Sequence, residues 1–278
     1  MLECNGKLLD LSLLTPPKVM GILNITPDSF SDGGLFLSAD KALQQAQQMV
    51  QDGAAIIDVG GESTRPGAAA VTAQEELDRV IPVIESIHRE CGAIISIDSS
   101  KPEVMREAVK AGAGMINDVR ALREPGAMEA ANETGVPVCL MHMQGEPRTM
   151  QKKPEYTDVV QVVKSFLQKR IMSCEAAGID AVLVDPGFGF GKTVDHNLQL
   201  VKNLREFTML GKPVLMGVSR KSSIAALLSR STNDERLAGS VAMATLCCQY
   251  GASIIRAHDV AATVDAVKIY HAVTHAGT

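Results

Sequence analysis

The chain has 278 residues, 46% of them hydrophobic and 21% charged, with a formal net charge of −5. That length suits one α/β barrel, and the net negative charge excludes non-specific nucleic-acid binding, which needs clustered basic surface. The apolar stretches are too short to span a membrane and the first residues lack the basic and apolar regions of a signal peptide, so a cytoplasmic location is expected.

In chain order, Leu2–Leu14 alternates polar and apolar positions around Asn5-Gly6, a good two-residue hairpin turn. This predicts a small hairpin plugging the bottom of the fold. Eight short apolar runs follow, each stopping at a polar or charged cluster. Val19–Leu23 runs into Asn24, Ile56-Ile57 into Asp58 and Gly60-Gly61-Glu62-Ser63-Thr64-Arg65, and Ile94–Ile97 into Asp98-Ser99-Ser100. Met115-Ile116 runs into Asn117-Asp118, Val138–Met141 into His142, and Val182–Val184 into Asp185-Pro186-Gly187. Val214–Met216 precedes Ser219-Arg220-Lys221, and Ile254-Ile255 precedes Arg256 and His258-Asp259. Short apolar runs without alternation are what strands covered on both faces look like. Polar groups at their C-terminal ends are the layout of a (β/α)8 TIM barrel, whose chemistry sits on that rim. Residues 1–278 therefore read as one α/β barrel domain with a short N-terminal hairpin.

Between the strands, Thr72-x-x-Glu75 and Ser100-x-x-Glu103 carry capping-box signatures, and Pro102 stands at a first helical position, where its missing N–H costs nothing. Leu77, Val80, Ile81, Ile84 and Ile87 mark one face of the helix after the second strand, and Pro82 inside it predicts a kink. Five joints share one form, a Gly followed by small or apolar residues: Gly53, Gly112, Gly135, Gly178 and Gly251. Gly just past a helix end takes the left-handed conformation without a Cβ penalty, so five copies predict one repeated architecture.

With no Trp, 3 Tyr and 6 Phe the core must be aliphatic and Met-filled. The six cysteines form no C-x-x-C pair and read as reduced core residues. Gly187-Phe-Gly-Phe-Gly-Lys192-Thr193 is not a P-loop, because Pro186 stands where the first Gly is required. Its glycines predict backbone approaching a ligand, with Phe188 and Phe190 walling a pocket. His142, at the end of an apolar strand, reads as a satisfied core histidine.

A single Asp after a strand is often only a helix cap; the set is different. Asp98, Asn117 and Asp185 lie at rim positions, with Lys221 close behind the seventh strand. They suit a flat heterocycle with an amino-pyrimidinone edge, because carboxylate and amide oxygens accept from ring N–H and amino groups while Lys donates to a carbonyl. Asn24, Thr64, Arg65, Arg256 and His258 form a second set on strands one, two and eight, neighbours in a closed barrel. Their donors suit a phosphate or carboxylate.

Met20–Gly34 and Asp58–Gly67 resemble the two signature segments of the dihydropteroate synthase family. The resemblance continues through Asp98-Ser-Ser-Lys-Pro, Ile116-Asn117-Asp118, Asp185–Lys192, Ser219-Arg220-Lys221 and Arg256-Ala-His258-Asp259. It implies a transferase that joins 6-hydroxymethyl-7,8-dihydropterin diphosphate to p-aminobenzoate, releasing pyrophosphate and 7,8-dihydropteroate. By resemblance, Asp98, Asn117, Asp185 and Lys221 hold the pterin, with Met141 and Arg256 against its faces. Asn24 binds Mg²⁺ carried by the diphosphate, which Thr64, Arg256 and His258 also meet. Phe30, Arg65, Pro66, Phe188, Phe190 and Ser219 shape the p-aminobenzoate slot. Asp98, Lys221, Arg256 and His258 then carry catalysis by charge stabilisation and positioning, and the later helices build a homodimer. The rival from another class is a pterin-binding module that presents methyltetrahydrofolate to a corrinoid partner. A similar Asp/Asn/Asp pocket would serve it, without the Phe30-Ser-Asp-Gly-Gly and Ser-Thr-Arg-Pro loops.

Overall fold

The computed structural model describes the chain except residues 13, 26–33, 64–70, 146–149, 151–153 and 278, with the backbone alone at 34–38. The strands are β1 (Leu2–Cys4), β2 (Lys7–Leu9), β3 (Lys18–Asn24), β4 (Ile56–Gly60), β5 (Ile94–Asp98), β6 (Met115–Asp118), β7 (Val138–Met141), β8 (Val182–Asp185), β9 (Leu215–Met216) and β10 (Ile254–Ala257). The helices are α1 (Gly34–Gln51), α2 (Ala73–Glu90), α3 (Pro102–Lys110), α4 (Ala127–Thr134), α5 (Val159–Ala176), α6 (Val194–Lys202), α7 (Arg205–Thr208), α8 (Ser222–Leu228), α9 (Leu237–Gln249) and α10 (Val260–Thr274).

Strands β3 to β10 form one parallel sheet in the order β8-β7-β6-β5-β4-β3-β10-β9. A parallel bridge between Val184 and Val214 joins β8 to the start of β9 and closes the barrel. All eight apolar runs are strands, and the two faces of each run go to different places. One residue per strand (Met20, Ile56, Ile94, Met115, Cys139, Leu183, Leu215 and Ile254) packs in a single apolar cluster. Their neighbours, among them Val19, Ile57, Ile95, Ile116 and Ile255, pack in the larger core with the helices. The period of two thus separates barrel lumen from helix layer.

The hairpin of β1 and β2 forms the floor. Asn5 and Gly6 both have positive φ, 52° and 81°, as a twist-matched two-residue turn requires, and Cys4 and Leu9 join the lumen cluster. Gly114 carries no Cβ because one would stand 2.5 Å from the Cys4 carbonyl oxygen. Two residues further along the strands the lumen positions become Ile22, Asp58, Ser96, Asn117, Met141, Asp185, Gly217 and Arg256. A polar layer therefore rests on an apolar floor that shuts out water from below.

The five helix-to-strand glycines all have positive φ, and Gly211, before β9, is another of the same kind. At α2 the Thr72 side chain accepts from the Glu75 N–H while the Glu75 carboxylate takes the Thr72 N–H at 2.8 Å. The second capping signature is not one. Helix α3 starts from Lys101 without a side-chain cap, with Pro102 in its first turn, and the Ser100 hydroxyl is drawn instead to the buried Asp118 carboxylate. Helix α2 continues through Pro82. Pro82 and Asp78 both lie on the exposed face, so the carbonyl that loses its helical donor faces water. All six cysteines are buried free thiols.

Candidate active site

The centre of the rim is an arginine between two carboxylates. Arg256, on β10, donates from Nε to Asp58 Oδ2 at 2.6 Å and from Nη2 to Asp98 Oδ2 at 2.7 Å. Burial works against its charge, but Asp58 and Asp98 outweigh burial and hold the guanidinium protonated. Asn117 Nδ2 donates to the same Asp58 oxygen at 3.1 Å. Because a carboxylate only accepts, the amide must face it nitrogen-first, leaving Asn117 Oδ1 as the free acceptor. On β8, Asp185 spends Oδ1 on the Gly187 N–H at 2.7 Å and keeps Oδ2. Lys221 stands with Nζ 4.0 Å from the centroid of Phe190. Phe190, Met141, Met143, Met150 and Val119 form an apolar cluster of their own beside it. Acceptors, a cation and an apolar wall are what a flat, donor-edged heterocycle requires.

Burial raises Asp98 to about 7, with Arg256 opposing and Asp58 adding to the rise. Burial lowers Lys221 to about 8, helped by Arg256 and resisted by Asp185. His258 is lowered to about 4, by burial first and then by Arg256 and Arg220. Neutral His258 has its Nδ1 3.2 Å from Ser219 Oγ, and that oxygen also accepts the His258 N–H at 3.2 Å. The hydroxyl proton then goes to Nδ1, so the ring carries its own proton on Nε2. Ser219 reaches the rim and orients His258.

The turn that presents Ser219 and Lys221 is strained and over-determined. Arg220 sits at φ 57°, which disfavours side chains. Its N–H donates to Ser240 Oγ at 3.0 Å, Arg236 Nη1 reaches its carbonyl at 3.2 Å, and its Nε pairs with Asp259 Oδ2 at 3.0 Å.

Asn24 ends β3, and its register runs Asn24–Gly60–Asp98 across three strands. A Cβ on Gly60 would stand 3.7 Å from Asn24 Oδ1 and 3.5 Å from Asp98 Cβ, so the missing side chain leaves open space between the two oxygen-bearing residues. Among the described residues no group of three or more His, Cys, Asp and Glu could hold a metal. A cation here would take one neutral oxygen from Asn24 and the rest of its shell from a ligand and water, and Mg²⁺ does keep several waters and bind substrate phosphates.

Thr64, Arg65, Pro66 and Phe30 lie outside the described residues. Phe188 is 1% exposed and packs into the core under the helices, so of the two phenylalanines only Phe190 stands beside Lys221. The glycines around them serve the protein's own backbone: a Cβ on Gly187 would stand 1.8 Å from the His142 carbonyl oxygen, and one on Gly191 would stand 2.5 Å from that of Gln144. Lys192 locks this loop, its Nζ donating to the carbonyls of Gly187 and Phe190 at 2.9 Å each and lying 3.0 Å from His142 Nδ1. His142 is a core histidine, as its setting in the strand predicts, lowered to about 3 by burial and then Lys192. The residues missed by sequence reasoning are Asp58, Lys192 and the ion triad of Lys101 with Glu62 and Glu76.

Residues 20–258 match the family described as pterin binding enzyme, so fold and site define a pterin-binding barrel enzyme. A dihydropteroate synthase from Haemophilus influenzae is 55% identical over 277 residues, covering 99% of each chain. A Xanthomonas albilineans dihydropteroate synthase solved with 4-aminobenzoic acid superposes with a TM-score of 0.92 at 51% identity, over 99% of this chain and 98% of that one. The same organism's enzyme in complex with 7,8-dihydropteroate gives 0.90 at 49%, with the same coverage. The chain belongs to the dihydropteroate synthase family.

Proposed function

We propose that this chain joins 6-hydroxymethyl-7,8-dihydropterin diphosphate to p-aminobenzoate, forming 7,8-dihydropteroate and pyrophosphate. The observation that carries this is Arg256, which links the acceptor pocket of Asn117 and Asp185 to the anion donors at His258 on one rim. The arylamine nitrogen bonds to the pterin's exocyclic methylene, the carbon–oxygen bond to diphosphate breaks, and the amine gives up one proton. An arylamine is a weak nucleophile, so the leaving group must depart early.

The chain's residues then divide the work. Asn117 Oδ1 and Asp185 Oδ2 accept from the pterin's N–H groups, and Lys221 donates to its carbonyl. Met141 and Arg256 lie against the ring, and Asp98, as carboxylate, stabilises the positive charge left behind. Arg256 and His258 Nε2–H, with Thr64, meet the charge developing on the diphosphate. Phe190 and Ser219, with Phe30, Arg65 and Pro66, border the arylamine. Asn24 would hold Mg²⁺, which supplies Lewis-acid neutralisation of the departing diphosphate.

Product analysis tests the assignment: mass spectrometry should find 7,8-dihydropteroate after incubation with both substrates and Mg²⁺. Methyl transfer from methyltetrahydrofolate to a corrinoid, with no dihydropteroate formed, would replace this reading.

We also propose a homodimer through α8 and α9. Leu227, Leu228, Leu237 and Leu246 on these two helices are 39–49% exposed, large apolar side chains that association would cover. Sedimentation should give twice the chain mass, and a monomer at micromolar concentration would exclude the interface.

A further inference from the structure

Asp58 is wholly buried and lies in the layer below Asn24 and Asp98, in register with Ile22 and Ser96. All of its hydrogen bonding runs through one oxygen: Oδ2 receives Arg256 Nε at 2.6 Å and Asn117 Nδ2 at 3.1 Å. The other oxygen, Oδ1, is buried and has no partner among the described residues. A buried carboxylate with so few donors is costly to keep, and here its charge is held by two side chains that both belong to the rim. Those two bonds also decide what each partner shows to a ligand. The bond to Asn117 excludes the flipped amide, because a carbonyl oxygen cannot sit against a carboxylate. The bond to Arg256, together with Asp98 Oδ2 at 2.7 Å, pins the guanidinium from two strands and uses Nε and Nη2, so that neither carboxylate takes Nη1.

We propose that Asp58 is a positioning residue of the pterin pocket: by holding Arg256 Nε and Asn117 Nδ2 on one oxygen it fixes the guanidinium plane and aims the Asn117 carbonyl at the bound ring. The inference rests on the pterin reading of that pocket. Asp58 acts through its two partners, so its effect on pterin binding must shrink where a partner is lost, which a residue supporting the fold at large would not show.

The test is a double-mutant cycle read by calorimetry with 6-hydroxymethyl-7,8-dihydropterin diphosphate and Mg²⁺, without arylamine. Asp58→Asn should weaken pterin binding about tenfold, since an amide at 58 no longer forces the Asn117 orientation. In an Asn117→Ala background the same change should weaken it by less than about threefold. The KM for p-aminobenzoate should stay within about twofold of wild type in Asp58→Asn, because the effect is confined to the pterin half. If Asp58→Asn does not fold, Asp58→Ser, which leaves room for a water in the carboxylate's place, serves in the same cycle. Unchanged pterin affinity in the single variant, or full multiplication of the two effects, overturns the positioning role. Absence of binding to the wild-type protein overturns the pterin reading itself, and with it this inference.

Discussion

Arg256→Met should lower kcat/KM for the dihydropterin diphosphate on the order of 10³-fold. Among the described residues, Arg256 is the one cation bonded to both Asp58 and Asp98, at 2.6 and 2.7 Å. Removing one partner of a buried ion pair costs about 3–5 kcal/mol, because the other charge is left uncompensated. Here two carboxylates are left, and the diphosphate loses a donor at the same time. Thermal stability should fall alongside activity, whereas a residue serving the diphosphate alone would leave it unchanged. Arg256→Lys should rescue little, since an ammonium cannot reproduce a fork that spans two carboxylates. Steady-state kinetics and a melting curve on the two variants decide the matter, and a loss below about tenfold with unchanged stability would show that the two carboxylates do not depend on this arginine.

The second large effect is on pH dependence. In the proposed reaction Asp98 must be ionised to stabilise the cation left when diphosphate departs, and Lys221 must be protonated to donate to the ring carbonyl. With Asp98 at about 7 and Lys221 at about 8, kcat/KM should climb through an acid limb near the first value and fall through an alkaline limb near the second. Asp98→Asn should remove the acid limb and depress the plateau on the order of 10²-fold, the scale on which losing one preorganised electrostatic contact acts. An acid limb that persists in Asp98→Asn belongs to another group. The fold should feel the same ionisation with a definite sign. An acid whose folded value lies above its unfolded value of about 3.9 holds a proton that the unfolded chain releases. Its stabilisation is complete below the unfolded value and is lost as pH rises toward about 7.

Much of the fold is legible in the sequence. The eight apolar runs all became strands and the five glycine joints all took positive φ, because strand burial and left-handed caps are local properties of the chain. Asp98, Asn117, Asp185 and Lys221 stand out as candidates through their chemistry at strand ends. What escaped depends on contacts between distant positions. Asp58 looks like one more polar residue at a strand end until Arg256, 198 residues away, is seen bonded to it. Glu76 follows Glu75 in a first helical turn, where acidic residues are expected at the surface, yet it is wholly buried against Lys101. Ser100 has the spacing of a cap, but the Asp118 carboxylate competes for its hydroxyl and wins. Phe188 and Phe190 are indistinguishable by type and spacing. Only the fold of the loop, locked by Lys192, sends one into the helix layer and leaves the other beside Lys221.

Direct transfer between two substrates held on one rim makes pyrophosphate release depend on both of them, which an assay with each component omitted in turn reads out. The complete mixture of 6-hydroxymethyl-7,8-dihydropterin diphosphate, p-aminobenzoate and Mg²⁺ should release pyrophosphate in a one-to-one ratio with dihydropteroate, and omission of any one should stop release at a useful rate. Equal release without p-aminobenzoate would mean that water, not the arylamine, attacks the pterin, and would rule out direct transfer.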